Sequence, residues 1–260
     1  MTFFHAFAPI LAAAVLGGAS AGLLGVLVVG LRMPFLAVCT AHAALAGAVF
    51  GRLLGIPTGA AGFMGGLAGA LLLGLILRRS TVDPNAALGS LFSLMMGLAF
   101  LGLGLGHGPR AELLSLLWGS LLFVGRAELV AMAAVGVALL LFVVVLDRPL
   151  RLLLFSRELA AVLIPEGLIF GLFLVLAAAT VTVNLGTVGG LMLYSLIANP
   201  AVAALRLGRT YPAVLVLGAT FGAASAAVGF LAAYWLDLPV GACIVLVSSL
   251  LVGVTLWISR

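Results

Sequence analysis

The chain is a succession of apolar runs, each about 20 residues long, separated by short breaks that carry glycine, proline or charge. Runs of this length match helices that cross a hydrocarbon layer about 30 Å thick, whereas the strands of a membrane barrel are about half as long and alternate in polarity. We therefore predict an all-α polytopic membrane protein. Its nine predicted spans are 9–31, 34–54, 58–77, 85–106, 127–146, 167–185, 187–205, 211–236 and 240–258.

Two of these predictions have alternatives. The break at Gly186–Gly190 carries no charge, so one central span could be re-entrant or broken, which would give eight crossings. The first run contains a Gly-Ala-Ser-Ala stretch, residues 18–21, that resembles a signal-peptide cleavage site. That run lacks the basic start of a signal peptide and stays apolar to Gly30, so we interpret it as the first membrane helix.

Composition supports one membrane domain over residues 1–260. The chain is 65% hydrophobic and 7% charged, with a mean hydropathy of +1.41, whereas soluble domains carry about 25% charged residues. The net charge of +5 comes from arginines at the ends of the apolar runs, which indicates topology and not a nucleic-acid partner. Loops are short, and no Gly-rich phosphate loop followed by Lys-Ser/Thr is present.

The arginines also predict an orientation, because positive residues accumulate on the cytoplasmic side of a membrane. Alternate breaks collect nine of the twelve, and the other side holds Arg52, Arg110 and Arg126. We therefore expect a cytoplasmic C-terminus and an outer N-terminus. The nine arginines are Arg32, Arg78, Arg79, Arg148, Arg151, Arg157, Arg206, Arg209 and Arg260.

The segment Leu31–Gly47 places Cys39 and His42 inside an apolar span, where polar and ionisable groups are costly and often functional. Three residues apart on a helix, they share a face. Thiolate and imidazole suit zinc and tolerate other late transition metals, and a site with only two ligands suits a metal in transit. The alternative is that His42 bonds a neighbouring helix and Cys39 is a small buried hydrophobe.

If the chain is a transporter, its predicted spans offer no evident means of coupling transport to an ion gradient, because no Asp, Glu or Lys is predicted mid-span. This absence disfavours a proton relay built from carboxylates. An external motor is therefore favoured over the alternative, an ATP-independent secondary transporter or channel. An intramembrane enzyme is disfavoured as well, since His42 is the only histidine predicted inside a span.

The loop 147–166 is the longest charged segment on the arginine-rich side. Ser156 can cap a short helix, Glu158 suits its first turn, and Pro165 ends it. Such a helix either lies at the membrane interface or docks a partner.

Five segments, in this order and at this spacing, resemble the permease subunits of bacterial ABC importers for zinc, manganese and iron. They are Leu31–Ala43 with its Arg-Met turn and His-Ala end, Ala87–Ser93, Phe155–Ala160, Pro200–Ala204 and Leu236–Gly241. The resemblance runs nearly end to end.

The resemblance implies the all-helical type II fold of metal-chelate and cobalamin importers, in a bacterial inner membrane. It implies a non-catalytic homodimer that forms one pathway for a divalent metal, with zinc ahead of manganese or iron and no permanently bound cofactor. Two cytoplasmic ATPase subunits would bind the ATP, and an extracytoplasmic solute-binding protein would deliver the metal. The segment that contacts the ATPases would be Phe155, Ser156, Arg157, Glu158, Leu159 and Ala160.

One position departs from the family. The family commonly carries an aspartate four residues before the membrane histidine, and here that residue is Val38. We hypothesise that Cys39 partly replaces this carboxylate and favours zinc over manganese; alternatively, this branch lost the site and conducts through a plain path. Whether His107 and Glu112 of the outer loop receive metal or are merely solvated also stays open.

Overall fold

The computed structural model describes residues 2–79, 83–105, 119 and 124–258, and the regular structure of these residues is helical. His107 and Glu112 lie outside the described residues. The helices are α1 (Thr2–Gly30), α2 (Leu36–Leu53), α3 (Thr58–Arg79), α4 (Pro84–Leu105), α5 (Arg126–Val145), α6 (Asp147–Phe155), α7 (Arg157–Leu163), α8 (Glu166–Val188), α9 (Gly190–Leu207), α10 (Tyr211–Leu236) and α11 (Val240–Ile258).

The predicted all-α membrane architecture is confirmed. Eight of the described helices are long and apolar enough to cross a membrane, namely α1 to α5, α8, α10 and α11. The apolar part of α9, Met192–Leu207, is shorter. It runs parallel to α11, because Met192 lies beside Gly241, and seven residues further along each helix Asn199 bonds Ser248. Helix α9 therefore traverses the bundle in the same direction as α11.

Helix α1 lies at the centre of the bundle, against α10, α9, α5 and α8. It begins at Thr2 and not at residue 9, because the apolar run already includes Phe3 and Phe4. Backbones of α1 and α10 touch at Gly22 and Gly218, where a Cβ on Gly22 would collide with the Gly218 carbonyl oxygen. Small residues permit this close antiparallel packing where lipid provides no hydrophobic drive between helices.

Several turns contain a residue with positive φ, and two of them define the ends of α8 and α10. The break between α8 and α9 falls at Gly189, whose φ is 91° and favours glycine. Helix α10 ends at Asp237 with φ of 52°, where the Leu238 N–H donates to the Ala233 carbonyl at 3.0 Å. Pro239 then prevents continuation of the helix, so the Leu236–Gly241 segment is a structural turn.

We expect Asp237→Val to lower the free energy of unfolding by about 1–2 kcal/mol, because a β-branched residue is strained in the left-handed region. Asp237→Asn should be close to neutral, since asparagine tolerates this conformation. Thermal unfolding of the detergent-purified protein measures both changes. Equal stability of the valine and asparagine variants would contradict this role of the turn.

The segment 147–166 contains two helices where the sequence predicts one. Helix α6 forms because Asp147 and Arg151 pair one turn apart and Leu150 and Leu153 are buried beneath them. Pro149 is tolerated in the first turn.

Helix α6 docks at one end of the bundle. Leu154 approaches Gly30 at the end of α1, and Arg151 lies over the ring of Tyr211 at the start of α10. We call this end of the bundle the arginine-rich end; it carries Arg32, Arg148, Arg151, Arg157, Arg206 and Arg209.

Candidate functional site

His42 lies in the middle of α2 with only 4% of its surface exposed. Its Nδ1 lies 2.9 Å from the carbonyl oxygen of Val38, one turn earlier. Because a carbonyl oxygen can only accept, the bond requires the proton on Nδ1. In the neutral tautomer that makes this bond the lone pair is on Nε2, and a neutral imidazole nitrogen is the group that binds metals.

One aromatic residue of α4, Phe92, packs against the imidazole. The ring of Phe92 meets His42 edge to face, with 4.8 Å between centroids and 81° between planes, and Phe35 meets Phe92 at 5.6 Å. The sequence gives Phe92 no role beyond membership of the Ala87–Ser93 segment, although that segment is one of the five that carry the family resemblance. The structure makes Phe92 the residue that fixes His42 at the contact between α2 and α4.

Cys39 is a free thiol, buried on the same helix within the main apolar cluster. No group of three or more His, Cys, Asp and Glu side chains with metal-site geometry occurs among the described residues. Any metal contact contributed by the described part of one chain is therefore an incomplete ligand set. Such a set suits passage of an ion and does not suit a permanent structural site.

A polar contact between α1 and α8 was not assigned a role from sequence. The Asn184 amide donates to the Thr180 carbonyl at 2.8 Å and to the Ser20 hydroxyl at 3.3 Å. Its Oδ1 is buried without a hydrogen-bond partner among the described residues, and Gly17 leaves the space that it occupies. Ser20 and Asn184 are 164 residues apart, so no local signal in the sequence brings them together.

The predicted short helix in the 147–166 loop is present as α7. The Ser156 hydroxyl accepts from the Leu159 N–H at 3.3 Å, as expected for an N-cap, and Glu158 lies in the first turn. Ala160 is fully buried, whereas 81% of Phe155 and 48% of Leu159 are exposed. The segment thus combines an anchored inner face with exposed apolar side chains.

An ion pair fastens α7 to α8. Arg157 donates to Glu166 Oε1 through Nη2 at 2.6 Å and Nε at 3.0 Å, and its guanidinium lies 4.1 Å from the ring centroid of Phe170. The side chains of Arg157 and Glu166 are 34% and 15% exposed. This bridge was missed from sequence, where the only hint was opposite charges on either side of the turn at Pro165.

The sequence profile of the ABC 3 transport family matches residues 4–259, nearly the whole chain. The chain belongs to the ABC 3 transport family. This confirms the resemblance to ABC importer permeases predicted from the five segments.

Curated relatives of this ABC 3 member match over most of their length. The manganese transport system membrane protein MntC of Halalkalibacterium halodurans is 30% identical over 96% of this chain and 86% of the relative. The manganese import system permease protein ScaB of Streptococcus parasanguinis is 26% identical over 98% and 91%. A probable iron transport system membrane protein of Haemophilus influenzae is 29% identical over 80% and 77%.

Solved structures agree with the fold. A chain of PsaBC from Streptococcus pneumoniae in complex with Fab superposes with a TM-score of 0.84, at 24% identity, over 97% of this chain and 91% of that one. An inward-facing conformation of a putative metal-chelate type ABC transporter gives 0.79 at 18% identity, over 96% and 85%. The predicted type II importer architecture is therefore confirmed at the level of the fold.

Proposed function

We propose that this ABC 3 family member is the membrane permease of an ATP-driven importer for a divalent transition metal, and that zinc is its favoured substrate. The observation that carries the proposal is the His42 ring, buried inside a membrane helix with its Nδ1 2.9 Å from the Val38 carbonyl oxygen, an arrangement that leaves Nε2 for a metal. Relatives named for manganese and iron support the metal class.

The case for zinc over manganese rests on ligand chemistry. Manganese prefers carboxylate, carbonyl and water ligands, whereas imidazole and thiolate suit zinc. Position 38, where the family commonly has a carboxylate, is a valine whose backbone oxygen already engages His42. Cys39 adds a soft donor on the same helix. We propose His42 as the transient metal contact and Cys39 as its partner.

The proposal also covers the other subunits of the importer and the orientation of the chain in the membrane. Two copies of the chain form one pathway, and the arginine-rich end, with the C-terminus, faces the cytoplasm of a bacterial cell. Two ATPase subunits, which bind and hydrolyse the ATP, contact the segment from Phe155 to Ala160. A metal-loaded solute-binding protein docks at the opposite end.

Reconstitution tests the proposal directly. The chain, co-purified with its ATPase subunit and placed in liposomes with the solute-binding protein, should accumulate radioactive zinc only when ATP is supplied at the ATPase side. ATPase activity should rise with zinc-loaded binding protein more than with manganese- or iron-loaded protein. The matched control is the same complex carrying a hydrolysis-deficient ATPase. Metal accumulation by that control, or by the chain alone without ATP, would contradict the proposal and favour a secondary transporter or channel.

A further inference from the structure

A groove between α5 and α10 opens on the side of the bundle near the arginine-rich end. Its volume is about 580 Å³, within the range of ligand pockets. Side chains from the two helices make its walls almost entirely apolar; they include Leu140, Val143, Val144, Leu215, Val216 and Ala219.

Among the described residues that line the groove, the charged ones lie where it meets α6. Asp147 and Arg151 line this mouth, with Arg151 Nη2 2.9 Å from Asp147 Oδ2, and the two side chains are 37% and 49% exposed. The Arg151 guanidinium lies 5.1 Å from the centroid of the Tyr211 ring. This contact and the ion pair with Asp147 hold the Arg151 guanidinium at one end of the apolar groove.

The balance of charge at this end is positive. Arg148 follows Asp147 on α6, and Arg209 lies two residues before Tyr211; both are exposed. Against these cations and Arg151, Asp147 is the one carboxylate among the described residues that line the groove. Basic pockets between membrane helices on the cytoplasmic side attract anionic lipid headgroups.

We propose that this groove binds one acyl chain of an anionic phospholipid, with its phosphate held by Arg151. The apolar walls bury the chain, and Arg151 lies at the level where the phosphate enters the interface. The inference goes beyond metal transport and requires only that the arginine-rich end lies at a membrane surface.

A second groove, on the same helix α5, is a useful comparison because its lining is uncharged. It has a similar volume, about 560 Å³, and is lined only by apolar residues of α5, from Val130 to Leu141. Because its described lining residues include no charged side chain, it can hold hydrocarbon but gives no basis for distinguishing headgroups. It therefore provides a matched control on one helix.

Native mass spectrometry of the detergent-purified full chain, titrated with phosphatidylglycerol or phosphatidylethanolamine, tests the proposal. We expect tighter, saturable binding of phosphatidylglycerol. Arg151→Gln should weaken it about fivefold, the effect of one juxtamembrane cation, and Ala219→Phe should remove it by filling the groove. Ala134→Phe in the control groove and Arg206→Gln at the same end should leave it unchanged.

Other outcomes would overturn the inference. Equal affinity for the two lipids in the unaltered chain would mean that Arg151 does not select a headgroup. Unchanged phosphatidylglycerol affinity in both Arg151→Gln and Ala219→Phe would place the lipid elsewhere. If Ala219→Phe instead dissociates a dimer and leaves lipid binding intact, the groove is a subunit interface. The conservative Arg151→Lys, which should keep most of the affinity, separates loss of charge from misfolding.

Discussion

Replacing His42 by alanine is expected to reduce ATP-dependent zinc uptake by the reconstituted complex by about tenfold or more. The variant removes the imidazole that the Val38 carbonyl and the Phe92 ring hold in place. Loss of even an outer partner of a metal ligand commonly costs about 10–100-fold in affinity or activity. Zinc uptake at fixed ATP, with the basal ATPase rate recorded alongside, measures the effect.

Neighbouring positions turn this prediction into a test of selectivity. Cys39→Ser should lower zinc uptake less than His42→Ala does, and Val38→Asp should raise the ratio of manganese to zinc uptake by supplying a hard oxygen ligand. Cys243→Ser is the matched control, since Cys243 is also a buried free thiol but lies on α11. Unchanged zinc transport in both the His42 and Cys39 variants would show that metal passes without a fixed site there.

The sequence predicts most of the architecture because each span is a local property. An apolar run and the breaks that end it define a helix without reference to the rest of the chain, so eight of the nine predicted spans coincide with long membrane helices. The Ser156 cap is equally local, and it forms as expected. The short α6 was missed because its stability depends on burying Leu150 and Leu153 against other helices.

The candidate site is only half visible in the sequence. His42 and Cys39 stand out by polarity, but the groups that orient the imidazole do not. Every helical side chain has a backbone carbonyl one turn before it, so the sequence does not single out the Val38 carbonyl. Phe92 resembles any other aromatic residue of an apolar span. Only the approach of α4 to α2 makes Phe92 a partner of His42. In the same way, Asn184 and Ser20 meet only after α1 and α8 have packed.

The glycines also show what composition can predict and what only the folded structure reveals. Thirty-four glycines indicate close helix packing in general. They do not say which helices meet. The pairing of Gly22 with Gly218 follows from the antiparallel course of α1 and α10, and that course is a property of the whole bundle.

Breaking the Arg157–Glu166 bridge is expected to uncouple ATP hydrolysis from transport. The bridge and the contact with Phe170 connect α7, the proposed ATPase contact, to α8, which carries Asn184 in the membrane interior. A coupling free energy of about 1 kcal/mol corresponds to a fivefold effect. We therefore expect Arg157→Gln and Glu166→Gln each to lower zinc transported per ATP hydrolysed by about fivefold or more, while both complexes keep substantial ATPase activity.

The design separates coupling from folding. Arg206→Gln removes one arginine from the same end without touching the bridge, and it should leave the ratio of transport to hydrolysis unchanged. The exchanged pair Arg157→Glu with Glu166→Arg restores opposite charges and should recover part of the ratio, although Arg157 loses its place over Phe170. If transport and hydrolysis fall in parallel in both single variants and the exchanged pair recovers neither, the bridge stabilises the fold and transmits nothing. If transport per ATP stays at the level of the unaltered complex in every variant, the link between α7 and the membrane helices runs through the apolar packing of Ala160 instead.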